Sequence, residues 1–83
     1  QDIFEIVNQY NRAAELIDDP AEREHVVKLN LIAGRRAKTS SAYASASTYL
    51  LAGSALLGDE AWVTRYPLKF ALEYGLAECE FLT

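Results

Sequence analysis

Three breaks leave this chain little choice of fold: Asp18-Asp19-Pro20, Thr39-Ser40-Ser41 and Gly58-Asp59. Between them apolar residues recur at steps of three and four, the period that lines side chains along one face of an α-helix. Nowhere does a useful run of strand-like alternation appear. The expectation is one all-α domain over 1–83 with four antiparallel helices, near 3–17, 20–38, 42–57 and 60–82.

Each helix has its own signals. In the first, Ile3, Val7, Tyr10, Ala14 and Ile17 form a stripe, and Asp2 with Glu5 has the form of a capping box. Phe4, Ile6, Ala13 and Leu16 widen that stripe, which predicts cover on two sides. Asp19 is placed to cap the second helix, with Pro20 at its first position and Glu22 closing the box. Val26, Leu29, Ala33 and Ala37 form its core face, with Val27, Leu31 and Gly34 alongside. A glycine inside a helix costs about 1 kcal/mol relative to alanine, so Gly34 marks a close helix-to-helix approach. Thr39-Ser40-Ser41 suits a tight turn and a new N-cap. Ala42, Ala46, Tyr49, Leu50, Gly53, Leu56 and Leu57 then make the third stripe, and Gly58 suits its C-terminal cap. The fourth helix is expected to bury Trp62, Val63, Tyr66, Phe70, Tyr74, Ala77 and Phe81, with a kink or break at Pro67 near Tyr66.

A chain of this size buries only about 60% of the surface its unfolded form exposes, so it needs further support. The one cysteine, Cys79, rules out an internal disulfide, and no cluster has zinc-ligand spacing. No stretch approaches the roughly 20 uninterrupted apolar residues of a membrane span. The nearest, Ala42 to Leu57, is broken by Ser45, Ser47, Thr48 and Ser54. The free cysteine fits a reducing cytoplasm. The chain starts at Gln1, contains no methionine, and reads as a slice of a longer protein. Association in isolation, as a homo-oligomer, is the expected consequence.

Net charge is −4, against general binding to nucleic acid or an anionic membrane. Residues 1–27 carry −5, residues 28–58 carry +4 with no acid at all, and residues 59–83 carry −3. A basic island therefore lies between acidic flanks.

Gly34 precedes Ala46 by twelve residues, and Tyr43, Ala46, Tyr49, Leu50 and Gly53 follow at steps of three, three, one and three. This pattern of small residues with aromatic residues between them resembles the tetratricopeptide repeat, although Gly34 to Ala77 is 43 residues against an ideal ~34. The resemblance implies stacked helical hairpins in a right-handed array, with the fourth helix as the first helix of a following repeat. The strings Ile3-Phe4-Glu5-Ile6-Val7-Asn8-Gln9-Tyr10-Asn11-Arg12, Leu29-Asn30-Leu31-Ile32-Ala33-Gly34-Arg35-Arg36-Ala37-Lys38 and Ala77-Glu78-Cys79-Glu80-Phe81-Leu82-Thr83 resemble a more specific group. These are the large bacterial signalling proteins that join a serine/threonine-kinase-like domain, a predictive signal-transduction ATPase, helical repeats, a GAF domain and often a histidine kinase. Pro67 departs from a helix that is continuous in that family. The resemblance implies a non-catalytic connector and protein-interaction segment of a signal-transduction kinase/ATPase. The alternative is a free-standing dimeric helical module that binds an acidic protein partner.

The residues themselves offer little catalytic chemistry. His25 is the sole histidine, among Glu22, Arg23 and Glu24, and reads as a solvated helix residue. Cys79 lies between Glu78 and Glu80 with no cation beside it to make a thiolate, so it reads as a small core residue. Asp18, Asp19, Glu22 and Glu24 lack the glycine and alternating spacing of a calcium loop, and capping accounts for them. Ser40, Ser41, Ser45 and Ser47 lie in no nucleophile motif. No cofactor is expected. The basic island carries more: Lys28, Arg35 and Lys38 share one helical face. By resemblance Leu31, Arg35 and Lys38 face the concave groove of the array, so Lys28, Leu31, Arg35 and Lys38 make a candidate partner-binding face for an acidic protein segment. The plainer reading, which we prefer, is that these cations pair with the acidic first and fourth helices beside them.

Overall fold

The computed structural model describes residues 2–82, apart from the side chains of Ala61 and Trp62. Among the described residues the fold is all-helical, with four long helices and no strand. They are α1 (Ile3–Arg12), α2 (Pro20–Thr39), α3 (Tyr43–Leu57) and, after the single turn α4 (Ala61–Thr64), α5 (Tyr66–Leu82). The molecule is a slab of 33 × 32 × 15 Å.

The breaks act as their chemistry predicts, with two differences. Asp2 accepts a hydrogen bond from the Glu5 N–H at 2.9 Å and opens α1. Asp19 caps α2 through the Ala21 N–H, with Pro20 leading the helix. Gly58, at φ 83°, ends α3 by donating its N–H to the Ser54 carbonyl. Pro67 lies in the first turn of α5, where a missing N–H leaves no helical bond unmade, and the chain bends at Arg65 just before it. The first difference is at the end of α1. The expected helix to residue 17 stops at Arg12, and Ala14–Leu16 form a tighter 3-10 turn. That turn buries Ile17 and leaves Ala13 and Leu16 outside, so α1 is not covered on two sides there. The second is at Thr39-Ser40-Ser41, where the turn forms but no side chain caps α3. Ser41 instead takes the left-handed position that closes α2, at φ 62°. Its N–H meets the Lys38 carbonyl and the Ala42 N–H meets the Ala37 carbonyl, the paired bonds of a Schellman motif.

Helix directions follow from the residues that meet. Val27 and Asn30 meet Gly53, and Gly34 meets Ala46 and Leu50, so α2 and α3 are antiparallel. Gly53 meets Leu72 and Leu50 meets Gly75, so α3 and α5 are antiparallel as well. Glu24 binds Arg65 and Lys38 binds Glu78, so α2 and α5 run parallel. Leu50, 2% exposed, is the hub. A Cβ built on Gly34 would stand 2.7 Å from its Cγ, and one on Gly75 2.9 Å from its Cδ1, so two glycines let α2 and α5 close on α3.

The expected burial of the α5 aromatic stripe is corrected. Val63, Tyr66, Phe70, Tyr74, Ala77 and Phe81 are all exposed, Phe81 to 90%; the Trp62 side chain lies outside the described residues. The inward stripe is Lys69, Leu72, Leu76 and Cys79, at steps of three, four and three, with Leu76 half-buried and Leu68 beside it. Both stripes have helical period. The smaller one faces inward because the glycine seam around Leu50 has no room for rings.

Two polar clusters fasten the helices from inside. The Asn30 side chain, fully buried on α2, exchanges amide hydrogen bonds with Asn11 of α1, both at 2.9 Å, and also donates to the Val26 carbonyl. Lys69, 3% exposed on α5, donates to the Ser54 hydroxyl at 2.7 Å and to the Ser54 carbonyl at 3.3 Å. The Ser54 hydroxyl donates to Glu73, and the carboxylates of Glu73 and Asp59 lie 3.8 and 3.9 Å from the ammonium. Neither cluster leaves a buried side-chain polar atom unbonded among the described residues, as low-dielectric surroundings require.

Candidate functional site

The parallel run of α2 beside α5 leaves a cleft of about 310 Å³ between them, lined in part by Leu31, Arg35, Lys38, Phe70, Tyr74 and Glu78. Three of the four residues expected on a partner-binding face therefore meet at one cleft. Their states differ. Leu31 is 9% exposed and belongs to the core, so it supplies the floor. Lys38 binds Glu78 across the cleft, and that hydrogen bond holds its ammonium above the ordinary lysine value. Arg35 is exposed and carries no ion pair among the described residues. Lys28 is not at the cleft; it lies one turn after Glu24 on α2 and pairs with it at 3.5 Å. Glu24 also takes the Arg65 guanidinium, and that bond, followed by the two neighbouring positive charges, holds its carboxyl below the ordinary range despite opposing desolvation. For Lys38 the plainer reading describes the geometry: its charge is spent on an acid of the fourth helix.

Sequence reasoning missed the rest of the cleft. Tyr66, Phe70 and Tyr74, one turn apart on α5, form a stacked ladder with centroids 5.9 and 5.7 Å apart and rings inclined at 28° and 24°. Phe70 and Tyr74 are about half exposed and form the wall opposite Arg35. The signal was present as a stripe at steps of four, but it was assigned to the core.

The remaining candidates fall apart from one another. His25 is exposed on α2, its ring edge-on to Tyr10 at 6.3 Å. Cys79 is fully buried against the core. Asp19 caps α2, and Glu24 is committed to its cations. Ser40, Ser41 and Ser45 are exposed, and Ser47 is half-buried. Among the described residues no group of three or more His, Cys, Asp or Glu is placed to hold a metal ion. Lys69 and Ser54 have the spacing of a serine–lysine pair, yet Ser54 is 5% exposed and its hydroxyl is bonded to Glu73. The pair joins helices and presents no nucleophile to solvent. Among the described residues no helix is long and apolar enough to cross a membrane.

No family model matches the chain, and no solved structure matches it. Among curated proteins it is similar to the hybrid signal transduction histidine kinase G of Dictyostelium discoideum, with 36% identity over 89 aligned residues. The alignment takes in 96% of this chain but only 3% of that protein, so the similarity is to one short segment of a signalling kinase.

Proposed function

We propose that this chain is a non-catalytic, tetratricopeptide-like segment that connects domains and makes protein contacts within a multidomain signal-transduction kinase/ATPase of the cytoplasm. The observation that carries the reading is the similarity to a histidine kinase segment along nearly the whole chain. The relative is from Dictyostelium discoideum, whereas the resemblance read in the sequence is to bacterial signalling proteins.

The geometry adds support of its own. α2 and α3 form an antiparallel pair joined through small residues, and α5 runs parallel to α2 while touching both. The first helix of a following repeat would lie in the same way, which supports the reading. The coding sequence on either side of residues 1 and 83 tests the reading. A phosphate-loop ATPase on the N-terminal side and further helices on the C-terminal side are expected; a stop codon directly after Thr83 overturns it.

A second reading, a free-standing dimeric helical module, draws on the exposed apolar face of α5, where Phe81 is 90% exposed. Sedimentation of a chain extended by its next encoded helix separates the two. A connector becomes monomeric when that helix packs over Phe81 at the C-terminal end of α5, whereas a dimeric module stays dimeric.

A further inference from the structure

We infer that the outer face of α5 and the adjoining edge of α2 receive one helix of a partner protein, an amphipathic helix with an acidic edge. This rests on the interaction-segment reading above and adds the chemistry of the partner. The apolar half of the site is the pair of stacked, half-exposed rings Phe70 and Tyr74, continued one turn earlier by Tyr66. Eight residues separate Tyr66 from Tyr74, or about 12 Å along the axis, which matches two turns of a partner helix with apolar residues at steps of three and four. Rings of this kind supply large contact area at low cost in lost side-chain freedom.

The charged half is α2. Its residues 28–39 include no acid. Lys28 and Lys38 are neutralised within the chain, while Arg35 and Arg36 are exposed without an ion pair among the described residues. Arg35 stands across the cleft from Phe70 and Tyr74, so a helix lying on the rings has one edge against its guanidinium. A carboxylate at that edge can take the planar fork in two parallel hydrogen bonds.

Charge also argues against a second copy of this chain. A two-fold contact with α5 antiparallel to itself sets the same edge against the same edge, cation facing cation. A parallel contact brings Glu73 toward Arg35, but that carboxylate is already bonded to Ser54 and lies 3.8 Å from the Lys69 ammonium. Charge therefore favours a partner helix that brings its own acid to this edge.

The test uses two fluorescein-labelled synthetic helices, each with leucines at i, i+4, i+7 and i+11. One carries glutamates along one edge and the other lysines at the same positions. Fluorescence anisotropy with the intact chain should show the glutamate peptide binding at least about tenfold tighter than the lysine peptide, because like charges at a contact are strongly disfavoured. Arg35→Glu should reverse the order. The double variant Phe70→Ser, Tyr74→Ser should lose both peptides with unchanged circular dichroism, since both rings are on the surface. Equal binding of the two peptides, no binding of either, or indifference to these changes overturns the inference. So does sedimentation as a dimer that the Phe70 and Tyr74 changes dissolve, since the occupant is then a second copy. None of these results bears on which domains the flanking sequence encodes, so the two proposals fail separately.

Discussion

Adding one methyl group at Gly34 tests the seam on which the helix arrangement depends. Alanine is favoured over glycine inside a helix by about 1 kcal/mol, so Gly34→Ala stabilises any α2 that has room for it. Here the new Cβ stands 2.7 Å from both Cγ and Cδ2 of Leu50, roughly 1 Å inside an ordinary carbon contact of about 3.5–4.0 Å. Leu50 has little freedom to retreat: it is 2% exposed, and Gly75 of α5 closes on its other side. Forcing a methyl group into a filled core costs about 1–3 kcal/mol, so the net effect is a loss of about 0–2 kcal/mol. Shortening Leu50 to alanine removes the obstructing atoms and leaves the Ala46 carbonyl oxygen, at 3.5 Å, in ordinary contact with the new methyl group. In that background Gly34→Ala should stabilise by about 1 kcal/mol, so the two changes couple by about 1–3 kcal/mol.

Urea unfolding of the four proteins, followed by far-ultraviolet circular dichroism, measures that coupling. Leu50→Ala itself costs about 2–5 kcal/mol, a large share of the roughly 4–12 kcal/mol expected for a chain of this length. All four are therefore measured with the same concentration of trimethylamine oxide, which favours the compact state. If Gly34→Ala stabilises the parent chain as much as it stabilises Leu50→Ala, α2 does not close on Leu50 and the seam is misassigned.

The buried ammonium gives a second test. Lys69→Ala should cost about 2–5 kcal/mol, because it empties the volume of the side chain and also leaves Ser54 without the ammonium, whereas Lys69→Met refills the volume and should cost about 1–3 kcal/mol for the lost polar partner alone. Equal urea midpoints for the two variants would show that the side chain lies in water. Acid titration tests Glu24, whose carboxyl is held low first by its hydrogen bond to Arg65. Its contribution is complete above the unfolded value of about 4.3 and is lost as pH falls through the lower folded value, so Glu24→Gln should flatten the fall of stability below about pH 4. The same titration in high salt should narrow the difference between the two proteins. Ser41→Gly should raise stability by about 1 kcal/mol, since a side chain at φ 62° is strained where glycine is not; a lower thermal midpoint would count against the Schellman geometry.

Much of this fold was legible because local chemistry and the tertiary arrangement agree. Asp2, Asp19, Pro20, Gly58 and Pro67 all sit where their backbone preferences place a helix boundary. The stripes expected on α2 and α3 turn inward except at Ala42, which is exposed just ahead of α3, and Leu29, Leu56 and Leu57 are half-buried. On α5 periodicity alone was insufficient, since the rings of Tyr66, Phe70 and Tyr74 and the smaller set Leu72, Leu76 and Cys79 are equally helical. Which set turns inward depends on Gly53 and Gly34, residues of other helices whose closeness no local rule reveals. Lys69 and Asn30 were missed for a related reason. Each continues an apolar stripe, but a polar residue there is tolerable only with partners supplied from another helix, Ser54 for one and Asn11 for the other. The candidate site was half legible: charge runs along the chain exposed Arg35, while the ladder opposite it was assigned to the interior.

The division of the sequence into acidic, basic and acidic thirds acquires a structural meaning in the α2–α5 seam. At the N-terminal ends of the two helices an acid of α2, Glu24, binds the base Arg65 that immediately precedes α5. At their C-terminal ends the polarity is reversed, with the base Lys38 on α2 and the acid Glu78 on α5. Partly exposed pairs like these add little net stability. Their effect on specificity is greater. Laid antiparallel on α2, α5 would bring Arg65 toward Lys38 and Glu78 toward Glu24, like charge against like at both ends. The parallel course of α5 is therefore favoured by charge as well as by the glycine seam, and it sets the exposed rings beside the edge of α2 that carries Arg35. The same alignment that consumes Lys38 leaves Arg35 available at the rim of the cleft.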